Sequence, residues 1–481
     1  HSASVLALLG LSACASVPKL GPAASIKPVD HYAAQQSLAG ATPAAWPGDG
    51  WWHAYGDPQL DGLIAEALKG SPDIATAVAR VRRAEGMLQQ SGAARLPTLD
   101  ASGNGGFAKQ SYNNGIPPAF VPKGWNDTGN IHGTLGFDLD LWGRNRAAYA
   151  AAKSDLEAAR LDQAQAALLL STGIADAYAD LSRLFAARSV QEAALDVRQK
   201  TAALVSDRVT SGLDMQAELK QANAAVPAAR SDLAATDEQI ALTRNRLAAL
   251  LGAGPDRGLA ITAPTVSIIA RGIPESVTTD LVGRRPDIAA ARARVEAEAS
   301  RIKVARADFY PALSLSGIFG YQSLGLDNLF KSGSTYGNAG GAISLPIFRG
   351  GELQGRYRGA RASFDEAVAS YDRTVTDAYR AVADAVVSQR ALATQLAESQ
   401  KSLTDFQAAY SIATMRYQGG LSTFLDVLTA QDRALQAQRI VADLQSRAFT
   451  LDIALVRALG GGFSTSAAAS GKAPSKDDTH G

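Results

Sequence analysis

Cysteine is almost missing from this chain of 481 residues: Cys14 stands alone, so no intramolecular disulfide can form. A surplus of one charge is missing too. The 47 Lys and Arg nearly cancel the 46 Asp and Glu, which gives no electrostatic support to a nucleic-acid or acidic-substrate partner. Although 46% of the residues are hydrophobic, no run reaches the roughly 18 apolar residues a transmembrane helix requires. A membrane crossing would have to use strands. The five histidines (His1, His31, His53, His132, His480) lack metal-ligand spacing. No G-x-S-x-G, P-loop or H-E-x-x-H pattern occurs, and Gly103-Asn104-Gly105-Gly106 falls in a strand-like stretch. The residues thus point to no catalysis, no metal and no cofactor.

What is present begins at the N-terminus. Val5-Leu6-Ala7-Leu8-Leu9-Gly10 reads as the end of a signal-peptide apolar region. It leads into Leu11-Ser12-Ala13-Cys14, which resembles a bacterial lipobox, with Cys14 as the expected lipidation site. Ala15, not Asp, follows, which in lipoprotein sorting implies the outer membrane. Residues 1–13 are therefore expected to be signal-peptide remnant, and a covalent lipid on Cys14 the one attached group.

Most of the remaining chain is duplicated. Ser71-Pro72-Asp73-Ile74-Ala75 returns as Arg285-Pro286-Asp287-Ile288-Ala289, and Arg80-Val81 as Arg294-Val295. At the same offset, Leu96-Pro97 matches Tyr310-Pro311 and Ser102-Gly103 matches Ser316-Gly317. At a slightly shorter offset, Arg208 matches Arg416, Gly212-Leu213 matches Gly420-Leu421, and Gly252 matches Gly460. Each half reads as short helix, strand, strand, very long helix, turn, long helix. The expected layout is a lipid-anchored and equatorial segment at 14–70, repeat 1 at 71–252, an equatorial linker at 253–284, repeat 2 at 285–460 and a disordered tail at 461–481, rich in small and polar residues.

In repeat 1, Ile131, Gly133, Leu135, Phe137, Leu139 and Leu141 alternate with His132, Thr134, Gly136, Asp138 and Asp140. That is a period of two. In repeat 2 the same period places Ala339, Gly341, Ile343, Leu345 and Ile347 on one face. Strands are expected at about 98–108, 130–142, 312–322 and 336–348, each long enough to cross a bilayer when tilted. The pattern alone fits equally a hairpin lying on a soluble core. The long helices favour a different setting. From Arg144 to Ser211 there is no proline, and none from Glu352 to Gln418; runs this long indicate coiled coil. Val226, Leu233, Ile240 and Leu247 are spaced by heptads, as are Leu428, Leu435, Ala442, Phe449 and Val456. Helical hairpins are expected at 144–252 and 352–460, with Pro227 bending one helix or marking a register change. Four strands cannot close a barrel, and lipid tolerates no open strand edge. The protomer is therefore expected to oligomerise.

The lipobox, Trp51-Trp52, Tyr55-Gly56-Asp57-Pro58-Gln59-Leu60, Arg284-Arg285-Pro286-Asp287-Ile288, Tyr310-Pro311 and Leu345-Pro346-Ile347-Phe348 together resemble the TolC/OprM/NodT outer-membrane efflux family, nearest its lipoprotein branch. The resemblance runs from Cys14 to about Leu459. It implies a mixed α and β membrane protein: a homotrimer with a 12-stranded β-barrel, an α-helical periplasmic tunnel and an equatorial domain. It implies an exit duct for drugs or other small toxic molecules, working with a periplasmic adaptor and an inner-membrane pump. It also implies that the turns Arg208, Gly212, Leu213 and Arg416, Gly420, Leu421 meet the adaptor. The bland alternative is that they only make turns.

Glu218 and Asp426 recur at matching places past the two turns. In a trimer they would form a ring of six like charges needing cationic partners, bound cations or raised pKa values; the alternative is a solvated helix face. The family places aspartates bonded to basic or tyrosine side chains at a constricted aperture. Asp214, Tyr417, Leu425, Asp426 and Glu218 are the corresponding candidates, although Ser422 and Thr429 stand where some members carry Arg and Asp. Trp46, Trp51 and Trp52 are expected either at a membrane interface or packed against the equatorial region. A type I protein-secretion outlet shares the implied fold. A pore-less coiled-coil lipoprotein is the alternative of another class.

Overall fold

The computed structural model describes residues 16–28, 31–32, 34–39, 42–268 and 271–464. Cys14 and the tail beyond 464 lie outside the described residues; residues 461–464, expected at the start of the disordered tail, are instead ordered and half-buried, with Gly461 N donating to Val456 O at 3.0 Å and Phe463 N to Gly460 O at 3.1 Å. In chain order the elements are α1 (Gln35–Leu38), α2 (Pro58–Gly70), α3 (Pro72–Ala93), β1 (Thr98–Ala108), β2 (Asn126–Leu139), α4 (Arg144–Thr210), α5 (Gln216–Leu250), α6 (Asp256–Leu259), α7 (Val277–Arg284), α8 (Pro286–Ala307), β3 (Ala312–Leu324), β4 (Thr335–Ser344), α9 (Glu352–Gln418) and α10 (Phe424–Ala458). Each half runs helix, two strands, a helix of 67 residues and a helix of 35 residues. At 1.5 Å per residue the longer ones extend about 100 Å. The chain divides into two compact units, one of 1–26, 80–159 and 290–371, the other of 27–79, 160–289 and 372–481.

The first unit holds one antiparallel sheet in the order β1-β2-β3-β4. Its register sets Leu99 opposite Leu135, Phe137 opposite Leu315, and Leu313 opposite Ile343. Because side chains alternate, one face gathers Leu99, Ile131, Leu135, Leu315, Phe319 and Ile343, all exposed. The other face gathers polar groups: Ser102 Oγ lies 3.0 Å from His132 Nε2, and Asn130 Nδ2 donates to the Tyr336 hydroxyl at 2.9 Å. A soluble hairpin would have covered the apolar face.

Two strands differ from expectation. β2 covers 126–139, not 130–142: it starts earlier because its ladder with β1 runs on to the Ala108–Asn126 pair, and it ends earlier because Asp140 leaves the ladder to cap α4, accepting from Asn145 N and Arg146 N at 2.9 Å each. β4 ends at Ser344, not at 348, just ahead of Pro346, which has no N–H for a ladder. Leu345, Ile347 and Phe348 stay exposed beyond the strand.

The second unit carries the main core. Trp51, Tyr55, Leu60 and Ile64 pack with Ile174 and Tyr178 of α4, Leu247 of α5, and Phe449 and Ile453 of α10. Trp51 is thus a core residue, and Trp46 donates to Ser276 Oγ at 3.3 Å; neither is an interface anchor. The Asp57-Pro58 pair starts α2, with Asp57 Oδ1 accepting from Gln59 N while Oδ2 accepts from the Tyr178 hydroxyl and Thr265 N. α5 runs through Pro227 without ending, so the proline lies inside the helix, where a bend or register change is expected of it. The expected seam does not hold along all of α10: Val427, Gln431, Ala434 and Val441 are buried, while Leu428 and Leu435 are only half-buried. The protomer buries one flank of that helix more fully than the neighbouring one.

Candidate functional site at the two helix turns

Both long helices end the same way. Gly212 (φ +74°) and Gly420 (φ +72°) take the left-handed backbone. Leu213 N then reaches back to Arg208 O at 2.9 Å and Leu421 N to Arg416 O at 2.8 Å. These are Schellman closures. No atom lies within 4 Å of a Cβ built on either glycine, so conformation alone demands glycine there.

The following helices begin alike as well. Glu218 Oε2 accepts from Met215 N at 2.7 Å. Asp426 Oδ2 accepts from Thr423 N at 3.0 Å, and Thr423 Oγ1 accepts in turn from Asp426 N at 3.4 Å, a reciprocal capping box. Hydrogen bonds from the Thr423 amide and hydroxyl hold the Asp426 carboxyl below the ordinary carboxylate range. The two repeated carboxylates therefore serve their own helix starts, with Arg416 adding its charge near Asp426.

What it does bring together is Arg208, Asp214 and Tyr417. Arg208 Nε donates to Asp214 Oδ2 at 2.9 Å, the Tyr417 hydroxyl donates to the same carboxylate oxygen, and the Arg208 guanidinium lies 4.4 Å from the Tyr417 ring centroid. Tyr417 is 1% exposed, packed with Val205 of α4, Ala222 of α5, and Phe424 and Val427 of α10. Partial burial pushes the Asp214 carboxyl up, but the bonds from Arg208 and Tyr417 and the guanidinium charge outweigh it and hold it below its usual range. Burial, then the bond to Asp214, pushes the Tyr417 phenol up. The latch ties the α4–α5 hairpin to the α9–α10 hairpin. Arg208 is bonded to Asp214, whereas Arg416 stays exposed and donates to Leu421 O at 3.3 Å. Leu213, Met215, Leu421 and Leu425 point outward, between 63% and 72% exposed.

The sequence did not single out the pairing below the latch: Gln431 Nε2 donates to Thr201 Oγ1 at 3.3 Å inside the interface. Gln431 on the same stripe as Val427 and Ala434 was the available signal. Among the described residues no cluster of side chains could hold a metal ion, and no helix is long and apolar enough to cross a membrane.

The family model for outer membrane efflux protein matches residues 63–253 and 278–461, one stretch for each half of the duplication. The chain is 30% identical over 467 residues to the multidrug resistance outer membrane protein MdtP of Escherichia coli, covering 94% of each protein. It is 31% identical to the pyoverdine export outer membrane protein OpmQ of Pseudomonas putida, covering 95% of this chain and 96% of that one. It is 37% identical to the fusaric acid resistance protein FusA of Burkholderia cepacia over 66% of this chain and 61% of that one. Among solved structures, the outer membrane protein VceC of Vibrio cholerae superposes with a TM-score of 0.83 at 44% identity, covering 87% of this chain and all of that one. With a whole-chain match that follows the duplicated halves, this chain belongs to the outer membrane efflux protein family.

Proposed function

We propose that three copies of this chain form the exit duct of a tripartite efflux pump, delivering small molecules across the outer membrane. The carrying observation is the four-stranded sheet, apolar on one exposed face and polar on the other, with β1 and β4 as its outer strands. Unpaired strand edges cost several kcal/mol per group in lipid, and pairing β4 of one copy with β1 of the next removes them. Three copies of four strands give twelve, with the polar face lining the passage. The relatives named for multidrug resistance, pyoverdine export and fusaric acid resistance favour small cargo over the protein cargo of a type I outlet. A pore-less lipoprotein would have no use for the apolar sheet face.

In this reading the Arg208–Asp214–Tyr417 latch holds the aperture, flanked by Leu425. Glu218 and Asp426 contribute their second carboxylate oxygens, the first ones being taken up by Met215 N and Thr423. The exposed Leu213, Met215, Leu421 and Leu425 offer the periplasmic adaptor an apolar tip rimmed by polar groups, and an inner-membrane pump lies beyond it. Cys14 carries the lipid. Support comes from the segment after it, where Ala24 N donates to Asp365 Oδ1 at 3.1 Å and Arg361 donates to Gly21 O at 3.3 Å, near the start of α9. Single-channel conductance in planar bilayers tests the duct: discrete openings are expected, and a protein that inserts without conducting would refute it.

A further inference from the structure

The strand order maps onto the helices: β2 leads into α4 and β3 follows α8, so α4 and α8 lie beneath the middle of the protomer's sheet, away from the β1 and β4 edges. Between them runs a groove of about 560 Å³. At its upper end Trp142 stacks on Tyr310, centroids 4.8 Å apart, and donates to Pro311 O at 2.8 Å. Its floor is small, made by Gly143, Ala147 and Ala150, and its walls are basic: Arg146, Lys303 and Arg306. Arg146 is shared with Asp140 at 3.3 Å. Lys303 and Arg306 have no acidic partner among the described residues.

The side of the groove follows from helix rotation. Arg144 Nε pairs with Asp308 Oδ1 at 2.7 Å, in a charged pocket that takes in Asp138 and Ser344 from the polar face of the sheet, Leu139 and Leu313 from the apolar one, and the Trp142 and Tyr310 that it shares with the groove. At about 100° per residue, Arg146 lies about 200° from Arg144, and Arg306 about 200° from Asp308. Arg146 and Arg306 therefore lie on the far side of their helices from Arg144 and Asp308, below the Trp142–Tyr310 pair. Stacked Trp and Tyr just below the strand ends mark the boundary of the hydrocarbon. The free cations one to two helical turns further down stand at headgroup depth.

We infer that this groove is a binding site for the phosphate headgroup of an anionic phospholipid in the periplasmic leaflet. The inference rests on the membrane orientation proposed above. The aromatic pair receives the glycerol region, Lys303 and Arg306 neutralise the phosphate, and the alanine floor lets the headgroup approach the helices. One such site per protomer would fix the depth of the barrel independently of the Cys14 lipid.

Native mass spectrometry of the full-length assembly tests this with dioleoyl phosphatidylglycerol and with digalactosyl diacylglycerol, which has no phosphate. The wild type should retain phosphatidylglycerol about ten- to thirtyfold more strongly than Lys303→Gln/Arg306→Gln. Lys303→Arg/Arg306→Lys should retain it, and the galactolipid should bind weakly to all three proteins. Wild-type retention should also fall steeply as salt is raised, a readout that needs no variant. Equal retention by wild type and the Gln variant, equal retention of the galactolipid, or salt-independent retention would overturn the site. Loss of conductance by the wild type would instead count against the channel itself.

Discussion

The Tyr417 hydroxyl donates to the Asp214 carboxylate, joining two helical hairpins that the duplication made alike. The duplicate positions cannot repeat that bond, because Val209 stands where Tyr417 does and Ser422 where Asp214 does. Each protomer therefore carries one latch, and a trimer would carry three around its aperture.

Removing the latch should open the tip. Hydrogen bonds to charged groups contribute about 1.5–3 kcal/mol, so Asp214→Ala is expected to raise single-channel conductance and speed proteolysis at the turns. Tyr417→Phe, which keeps the packed ring and the Arg208–Asp214 pair, should have a smaller effect, at the lower end of that range, about 1.5 kcal/mol. A double-mutant cycle of Arg208→Ala with Asp214→Ala should show coupling, and strict additivity would mean that the pair does not act as a unit.

The latch also fixes a pH dependence. Its carboxyl is held below the ordinary value of 3.8 in the folded tip. The stabilisation is therefore complete above that value and is lost as pH falls through the lower folded one. Conductance should be flat from neutral pH down to about pH 5 and rise only in stronger acid. A rise centred near neutrality would point to another group.

Much of this layout is legible in the sequence, and the latch shows where legibility stops. Strand period, helix length and the turn glycines are local signals, and the duplication states each of them twice. Asp214 and Tyr417 were legible as candidates only through the family resemblance, and their pairing with Arg208 was not, because it sits where the two halves differ. Asp214 and Tyr417 are far apart in the chain, and only the packing of Tyr417 against Val205, Phe424 and Val427 brings them together. The repeated Glu218 and Asp426 drew attention as a charge ring, yet repetition there also reflects a shared need for a helix cap. Asp140 ended a strand early for the same reason: its oxygens match two free amides of α4 better than a ladder position.

The two turns differ in one cap, which can be repaired. Met215 stands where Thr423 completes its box. Met215→Thr is expected to stabilise the first turn by about 0.5–1 kcal/mol, and Thr423→Ala to destabilise the second by about 0.5–2 kcal/mol. Hydrogen exchange at the first amides of α5 and α10 would read both.

Gly212→Ala and Gly420→Ala meet no steric obstacle, so their cost is that of a left-handed alanine, about 1–2 kcal/mol each. Asn should be better tolerated at both positions. Thermal unfolding of the assembled protein, followed by proteolysis at the turns, would show a lower melting temperature for Ala than for Asn.

Acylation of Cys14 should appear as a mass increment on the N-terminal peptide of protein made in a Gram-negative host. A Cys14→Ala protein with a substitute signal should still reach the outer membrane, because the strands span it. Unmodified Cys14 in membrane fractions would remove the anchor from the account.

The central claim is that three copies of four strands close into one twelve-stranded barrel, and native mass measurement of the detergent-purified protein tests it most directly. The account predicts a single dominant species of about three 50.0 kDa chains. A folded, stable monomer with its sheet edges open to detergent would contradict it.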